Sequence, residues 1–276
     1  VHVVAEVNSC LCDVGEYMEK EELIKIAKKL HQEAFDANAY YLIMQQYKEC
    51  RSRYLDELNI SPAFYSVVYE ALQKACFMEV AKLYDKTRDA FSIGDFLKIC
   101  KDNEKIFLEC KEIFEYTYDG QEYKDEVPYQ HKLKEDEKIF FKDEVKYHGD
   151  IYRILGLPED LDIYVNLTFH DLLDLYTKKY NSLKKVTEKI RMQRNKIYAH
   201  NDKIEMVNES IVEQNPITYP QVKQAIECAL DITSMVLGIL EGKQPAEFYS
   251  NIDDLENTLM LVKKGLLYQE EKELLK

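Results

Sequence analysis

Three residues in the last third of the chain have side chains suited to chemistry at a phosphate group. Arg194 and Asn195 are adjacent, and His200 follows after four further residues. Imidazole titrates near neutral pH, so His200 is a candidate for proton transfer. The guanidinium of Arg194 stays charged and offers N–H donors that match phosphate oxygens, and Asn195 could orient a partner or a substrate by hydrogen bonds.

These residues end a strongly basic segment. Between Lys178 and Lys203 nine basic residues are opposed by two acidic ones, which gives the segment a net charge of +7. The whole chain carries −14, so the remainder carries −21. A basic strip in an acidic protein can attract a polyanion locally, although a solvated lysine-rich helix face would have the same composition.

The spacing of Arg194 and His200 restricts how they could act together. Six residues at about 100° each place them roughly 120° apart around an ideal helix. They share one site only if the helix distorts, if the arginine side chain curls across, or if each meets residues of a second chain. A purely structural role is the alternative, because basic residues near a helix C-terminus favour its dipole and cap its last carbonyls.

The composition predicts the kind of scaffold that positions these residues. Eight glycines and six prolines make up about 5% of the 276 residues, compared with about 12% in average proteins. Few tight turns are therefore available, which argues against sandwiches, barrels and propellers. We expect an all-α bundle of long amphipathic helices in one or two domains.

Hydrophobic periodicity locates these helices. Steps of three and four residues predict helices over about Glu19–Asn59, Pro62–Lys86, Ile93–Lys101, Lys105–Tyr116 and Thr168–Tyr198, with two more after Pro220 and from Asn251. The first has its apolar stripe at Leu23, Ala27, Leu30, Ala34, Ala37, Tyr41 and Met44. The broad apolar face of Pro62–Lys86 predicts a central, heavily buried helix.

The division of the chain follows from these elements. Between residues 119 and 150, charges of both signs crowd together without a clear period, which predicts an irregular insertion that becomes helical near Lys138. We therefore expect an N-terminal segment (1–18), a helical domain (19–241) that contains this insertion, and a C-terminal helix (242–276). That helix should pack on or extend the same domain.

Cysteine, histidine and glycine usage bears on cofactors and on compartment. Seven cysteines at wide spacing are typical of reduced thiols in a cytoplasmic protein rather than of a disulfide framework. The histidines lack zinc-ligand spacing and there is no glycine-rich phosphate loop, so we expect no metal and no cofactor. No apolar run approaches the length of a transmembrane helix, so we expect no membrane partner.

Two segments resemble the HEPN superfamily, in particular its abortive-infection AbiU-type branch. They read RNKIYAHNDK, which contains Arg194, Asn195 and His200, and SPAFYSVVYEALQKACFMEVAKLYDK, which lies about 110 residues earlier. HEPN proteins carry an arginine, an adjacent polar residue and a histidine a few positions on. The resemblance covers about residues 19–240 and implies a HEPN-like helical bundle that forms a homodimer, with both motifs lining one cleft.

The resemblance also implies an activity. HEPN proteins of this kind are metal-independent endoribonucleases that act as toxins or phage-defence effectors, and they cleave RNA by attack of the ribose 2′-OH on the adjacent phosphate. Arg194, His200 and Asn195 would be catalytic, and substrate would be bound by Lys196, Tyr198, Lys203 and Arg191. RNA and a cognate antitoxin protein are then the expected partners. The alternative is a non-catalytic dimeric module that binds nucleotide, RNA or a partner protein.

Overall fold

The computed structural model describes residues 18–87, 89–108, 112–118, 121–127, 169–194, 216–241 and 245–275. These residues form helices and one two-stranded sheet. In chain order the elements are α1 (Lys20–Cys50), α2 (Leu55–Leu58), α3 (Pro62–Leu83), α4 (Ile93–Asp102), α5 (Glu104–Leu108), β1 (Glu112–Tyr118), β2 (Gln121–Val127), α6 (Phe169–Ser182), α7 (Lys184–Gln193), α8 (Tyr219–Glu241) and α9 (Asp254–Leu274). The predicted all-α class is confirmed, and the hairpin is an addition to it.

Helix α1 organises the bundle. It packs along α3 on one side and along α8 on another, and it also contacts α4 and α9. Its predicted apolar stripe is confirmed, because all seven of its residues are buried, from Leu23 to Met44. Spacing at three and four residues was enough to identify this stripe because each of these side chains faces a neighbouring helix.

The most buried helix is α8 rather than α3. Buried residues occur on every side of α8, and they include Val222, Ile226, Thr233 and Val236. In α3 the buried side chains are confined to its second half, and Phe64 and Val67 near its start are 62% and 65% exposed. The prediction that α3 is the central buried helix is therefore wrong. Its apolar residues lie on more than one face, and only one of those faces can pack against α1.

The hairpin corrects a predicted helix. Lys105–Tyr116 was expected to be helical, but α5 ends at Leu108 and β1 begins at Glu112. The strands are antiparallel, and Tyr118 pairs with Gln121, which leaves a two-residue connection. The sequence contains the signal for this arrangement, since Asp-Gly occupies the connection between two runs that contain aromatic and β-branched residues. The insertion predicted for 119–150 therefore contains a strand, and its expected helix near Lys138 lies outside the described residues.

The helix predicted over Thr168–Tyr198 is divided in two. The break falls at Leu183, whose N–H bonds to the carbonyl of Tyr180, three residues back, at 3.2 Å. The hydroxyl of Ser182 donates to the carbonyl of Lys179 at 2.7 Å and so satisfies a group that the helix would otherwise leave free. Leu183 is buried, so the break is held by packing. The basic segment is consequently spread over two helices, α6 and α7.

The described cysteines are reduced and buried. Cys50, Cys76, Cys100 and Cys228 are free, and burial raises the pKa of the Cys76 and Cys228 thiols to about 12. They therefore act as small apolar side chains. In the part of the chain that the structure describes, no helix is long and apolar enough to cross a membrane.

A buried histidine joins three parts of the bundle. His31 of α1 lies 2.9 Å from the hydroxyl of Thr233 in α8 through Nδ1, and 2.8 Å from the carbonyl oxygen of Ala246 through Nε2. The carbonyl can only accept, so Nε2 carries a proton and donates. Burial lowers the pKa of His31, and the hydrogen bond to Ala246 opposes this effect only in part. The neutral ring therefore holds the segment before α9 against the core.

This histidine should make stability depend on pH. Because the pKa of His31 is lower in the folded than in the unfolded protein, its contribution is complete above about pH 6.5 and is lost as the pH falls towards the folded pKa. We expect the unfolding free energy of the wild type to fall between pH 7 and pH 5, and less so for His31→Gln. Urea unfolding at each pH measures the difference. Equal slopes in the two proteins would contradict the prediction.

Candidate functional site

The centre of the candidate site is a carboxylate between two arginines. Asp85 follows α3 by two residues, and its Oδ2 accepts a hydrogen bond from Nη2 of Arg194 at the end of α7. Oδ1 of Asp85 lies 3.9 Å from Nε of Arg191, one turn earlier in α7. All three side chains are mostly buried, with 11%, 19% and 22% exposure for Asp85, Arg194 and Arg191. The end of α3 and the end of α7 are therefore joined by an ion-pair cluster.

Tyr84 holds Asp85 in place. Its hydroxyl donates to the carbonyl oxygen of Ala225 in α8 at 2.6 Å, and its ring stacks on Tyr180 of α6 at 5.8 Å between centroids. Tyr84 is 1% exposed, so the backbone at the end of α3 is fixed against two other helices. The N–H of Thr87 then donates to Oδ1 of Asp85 at 3.0 Å and orients the carboxylate.

The packing of α7 positions the two arginines. Ile190 is fully buried, and Thr187 is 4% exposed and donates to the carbonyl of Lys184 at 3.1 Å. Arg194 keeps a helical backbone, with its N–H directed at the carbonyls of Arg191 and Ile190. Positions 191 and 194 are three apart, so both side chains emerge on the same side of the helix, towards Asp85.

The cluster favours an ionised Asp85. Burial alone would raise the pKa of its carboxyl, but the hydrogen bond from Thr87 and the guanidinium of Arg194 outweigh it and lower the pKa below its usual value. A lowered pKa means that the stabilisation is complete above about pH 4 and is lost as the pH falls below that value. Asp85 is therefore a permanent negative charge at physiological pH.

The arginines retain donors that Asp85 does not use. The Nε atoms of Arg191 and Arg194 are buried and have no hydrogen-bond partner among the described residues. Two guanidinium groups face one carboxylate here, so the cluster keeps a net positive charge. A phosphate oxygen would complement that charge.

A polar cavity of about 450 Å³ lies beside this cluster. Its lining includes Lys86 and Thr87, which directly follow Asp85, together with Ser92, Tyr180, Lys184 and Thr187. Ser92 caps α4 and forms a reciprocal pair with Asp95, whose carboxylate accepts the N–H of Ser92 at 3.0 Å. The carboxylate of Asp95 is thereby hydrogen-bonded at the N-terminus of α4, where the helix dipole favours a negative charge. The lysines of the wall are exposed, or partly so, and could meet an anion from solvent.

Gly94 shapes one wall of the cavity. A Cβ atom at this position would lie 2.8 Å from Cζ of Tyr180. The missing side chain lets the Tyr180 ring cross the start of α4, where the ring lines the cavity and stacks on Tyr84. The same ring thus connects the cavity wall to the residue that holds Asp85.

The structure brings together part of the predicted site. Arg194 and Arg191 meet at Asp85, whereas Asn195, Lys196, Tyr198, His200 and Lys203 lie outside the described residues. Within the basic segment, Lys178, Lys184 and Lys185 are exposed, and Lys179 pairs with Asp231 of α8. The two arginines face inwards and the lysines mostly face solvent, so the segment is not one uniform strip.

Asp85 is the residue that sequence reasoning missed. It lies in the earlier of the two segments that resemble HEPN proteins, just after a long apolar helix. No pattern in the sequence around Asp85 relates it to Arg194. No signal in the sequence singles it out, because the burial of the neighbouring Tyr84 is a property of the folded bundle. Among the described residues, no group of three or more His, Cys, Asp or Glu side chains lies close enough to hold a metal ion.

Comparison with known proteins identifies the family. The family model described as AbiU2, of the HEPN type, matches residues 20–257. The chain belongs to the HEPN AbiU2 family. The match confirms the resemblance seen in the sequence, and it ends in the first turn of α9. No curated protein and no solved structure matches this AbiU2 chain.

The cluster should be important for the stability of this AbiU2 protein. Asp85→Asn leaves two mostly buried guanidinium groups without their counter-charge, and we expect it to lower the unfolding free energy by about 2 kcal/mol. Urea denaturation at pH 7 measures the loss. Glu188→Gln is the control, because Glu188 is half exposed and lies 4.0 Å from Lys86, so its loss should have no measurable effect. Similar stabilities of the two variants would contradict a structural role for Asp85.

Proposed function

We propose that the protein is a metal-independent HEPN endoribonuclease that acts as a toxin or phage-defence effector in abortive infection. The observation that carries the proposal is the placement of Arg194. The arginine of the motif ends a basic helix and donates a hydrogen bond to Asp85, which directly precedes Lys86 and Thr87 in the wall of a polar cavity. A positioned guanidinium next to an anion-binding surface is what phosphoryl chemistry on RNA requires.

The proposed reaction needs no external co-reactant. The ribose 2′-oxygen attacks the adjacent phosphorus, the bond to the 5′-oxygen breaks, and the products carry a 2′,3′-cyclic phosphate and a 5′-hydroxyl. A proton leaves the 2′-hydroxyl and one is delivered to the leaving 5′-oxygen, and His200 is the proposed proton-transfer group. Arg194 stabilises the charge that develops on the phosphorane, and Asn195 orients the histidine or the substrate.

Asp85 has a positioning role in this proposal. It fixes the guanidinium of Arg194 through one terminal nitrogen and leaves other N–H groups for a phosphate oxygen. Arg191 was proposed to bind substrate directly. Its contact with Asp85 favours a different contribution, in which it compensates the carboxylate so that Asp85 does not cancel the charge of Arg194.

Further contacts with RNA belong to the same proposal. Lys196 and Lys203 would hold backbone phosphates, and Tyr198 would stack on a base. Lys86 and Lys184 of the cavity add a second place for a phosphate of the same strand. The protein would act in the cytoplasm as a homodimer whose two motifs line one cleft, with a cognate antitoxin protein as its regulator.

A second candidate function is a non-catalytic module that binds nucleotide, RNA or a partner protein. The observation in its favour is that Arg194 and Arg191 share Asp85 and are mostly buried, as expected of arginines that stabilise the fold. Such a module would bind RNA through the exposed lysines without turning it over. Cleavage assays separate the two functions.

Cleavage should depend on the motif and not on a metal. With a broad RNA pool in excess EDTA, we expect the wild type to produce 2′,3′-cyclic phosphate ends. His200→Ala and Arg194→Ala should lower the rate by at least about 100-fold through loss of proton transfer and of charge stabilisation. Gel analysis with chemical end-mapping measures both quantities.

A surface variant of the same segment serves as the activity control, and because Arg194 also pairs with Asp85, urea denaturation must first show that Arg194→Ala is folded. Lys178→Ala changes an exposed residue of the basic segment outside the motif and should retain most of the activity. If the wild type leaves a broad RNA pool intact, or if the motif variants cut as fast as the wild type, the nuclease proposal fails. RNA binding that persists without cleavage would support the non-catalytic module instead.

The cavity should contribute to RNA affinity. Lys184→Glu places a negative charge in the cavity wall, and we expect about tenfold weaker binding of a single-stranded RNA at low salt with a smaller salt dependence. Lys185→Glu is a matched control, since it is the next residue, is also exposed and does not line the cavity. Fluorescence anisotropy at several salt concentrations compares the two. Equal losses would show that only the overall charge of α7 matters.

A further inference from the structure

Helix α9 has two differently built faces. Leu255, Leu259, Val262 and Leu266 share the less exposed face of the helix, and Leu259 on this face is fully buried. Glu256 forms an ion pair with Arg53 at 2.5 Å. The remaining surface of the helix faces away from α1 and α2, and most of it lies beyond residue 257, where the AbiU2 match ends.

The outward surface carries apolar residues at heptad spacing. Three adjacent pairs recur every seven residues, and their exposed fractions run from 39% to 87%: Met260 and Leu261, Leu267 and Tyr268, and Leu274 and Leu275. Residues seven apart on an α-helix lie within about 20° of one another, so the pairs form two parallel apolar rows. Such rows on a single surface helix are typical of a face that packs against another helix.

The charges between the two rows specify the partner. Lys264 lies four residues after Met260 and three after Leu261, so it lies between the rows, and Glu271 has the same position one heptad later. Antiparallel pairing of two copies about a two-fold axis between positions 267 and 268 sets Lys264 opposite Glu271 twice. The same axis sets each row against its own copy, so Leu267 and Tyr268 each meet their equivalent in the second copy, Met260 lies opposite Leu274, and Leu261 lies opposite Leu275. Parallel pairing would set lysine against lysine and glutamate against glutamate.

We propose that α9 is a self-association helix that binds the α9 of a second copy in an antiparallel pair. The apolar rows provide the contact area, and the Lys264–Glu271 pairs select the antiparallel orientation. The proposal does not depend on the nuclease function, and its surface is separate from the Arg194 cluster. It adds a second way in which chains of this protein recognise each other.

Charge exchange tests the pairing. In Lys264→Glu and in Glu271→Lys, each pair becomes a like-charge contact, and we expect about tenfold weaker self-association for each single variant. The double variant Lys264→Glu with Glu271→Lys should restore the wild-type value. Sedimentation velocity over a range of concentrations measures the dissociation constants with the intact chain.

The outcomes separate the proposal from its competitors. Glu273→Lys makes the same charge change on roughly the opposite side of the helix and should leave association unchanged. If the single variants associate like the wild type, the antiparallel pair is wrong. That result is expected from a parallel pair, from a different partner protein, or from a dimer formed only at the Arg194 cluster. If the double variant fails to recover, the assigned register is wrong.

Cross-linking provides an independent readout of location. A zero-length carbodiimide joins a lysine amine to a carboxyl group with loss of water, so the proposed contact should give a peptide that links Lys264 to Glu271. Mixing ¹⁴N- and ¹⁵N-labelled chains shows by mass whether that link joins two copies. A mixed-label Lys264–Glu271 peptide is expected from the wild type, and its absence under conditions where the protein is dimeric would overturn the proposal.

Discussion

The ion-pair cluster at Asp85 is the contact through which the ends of α3 and α7 are held together. A carboxylate that is only 11% exposed is unfavourable unless charged partners compensate it, and Arg194 and Arg191 provide that compensation from consecutive turns of one helix. Its position is fixed in turn by Tyr84, which bonds to α8 and stacks on α6. Contacts from α3, α6, α7 and α8 thereby fix the position of the Asp85 carboxylate. The orientation of Arg194 follows from the packing of these helices.

Local patterns predicted the parts of the fold that local interactions determine. The α1 stripe from Leu23 to Met44 could be identified because a helix against two neighbours needs apolar residues at three- and four-residue steps. The prediction that α3 is the central buried helix failed for a non-local reason. Phe64 is as apolar as any core residue, but whether it is covered depends on which helix reaches it, and that is a property of the whole bundle.

The candidate site shows the same limit. The motif pointed to Arg194 through residue type and resemblance, yet its partner Asp85 is 109 residues away and gave no periodic signal. The break at Leu183 was missed for a similar reason, since Ser182 and Leu183 are compatible with a continuous helix and only their packing stops it. The hairpin differs from both, because its Asp-Gly connection and the aromatic residues of its strands are local signals that the sequence contains.

A nucleic-acid site in a chain of net charge −14 requires that local charge outweigh the average. Screening limits the reach of exposed charges to about 10 Å at moderate salt, so a phosphate bound near Arg194 responds to the cluster and the cavity and hardly to distant acidic helices. Asp85 neutralises one of two guanidinium groups, and Lys86 and Lys184 contribute positive charge from the neighbouring wall. The distant acidic surface would instead repel polyanions from the rest of the molecule. Under the proposed function, charge segregation of this kind would confine RNA binding to one part of the surface, which a uniformly basic protein could not do.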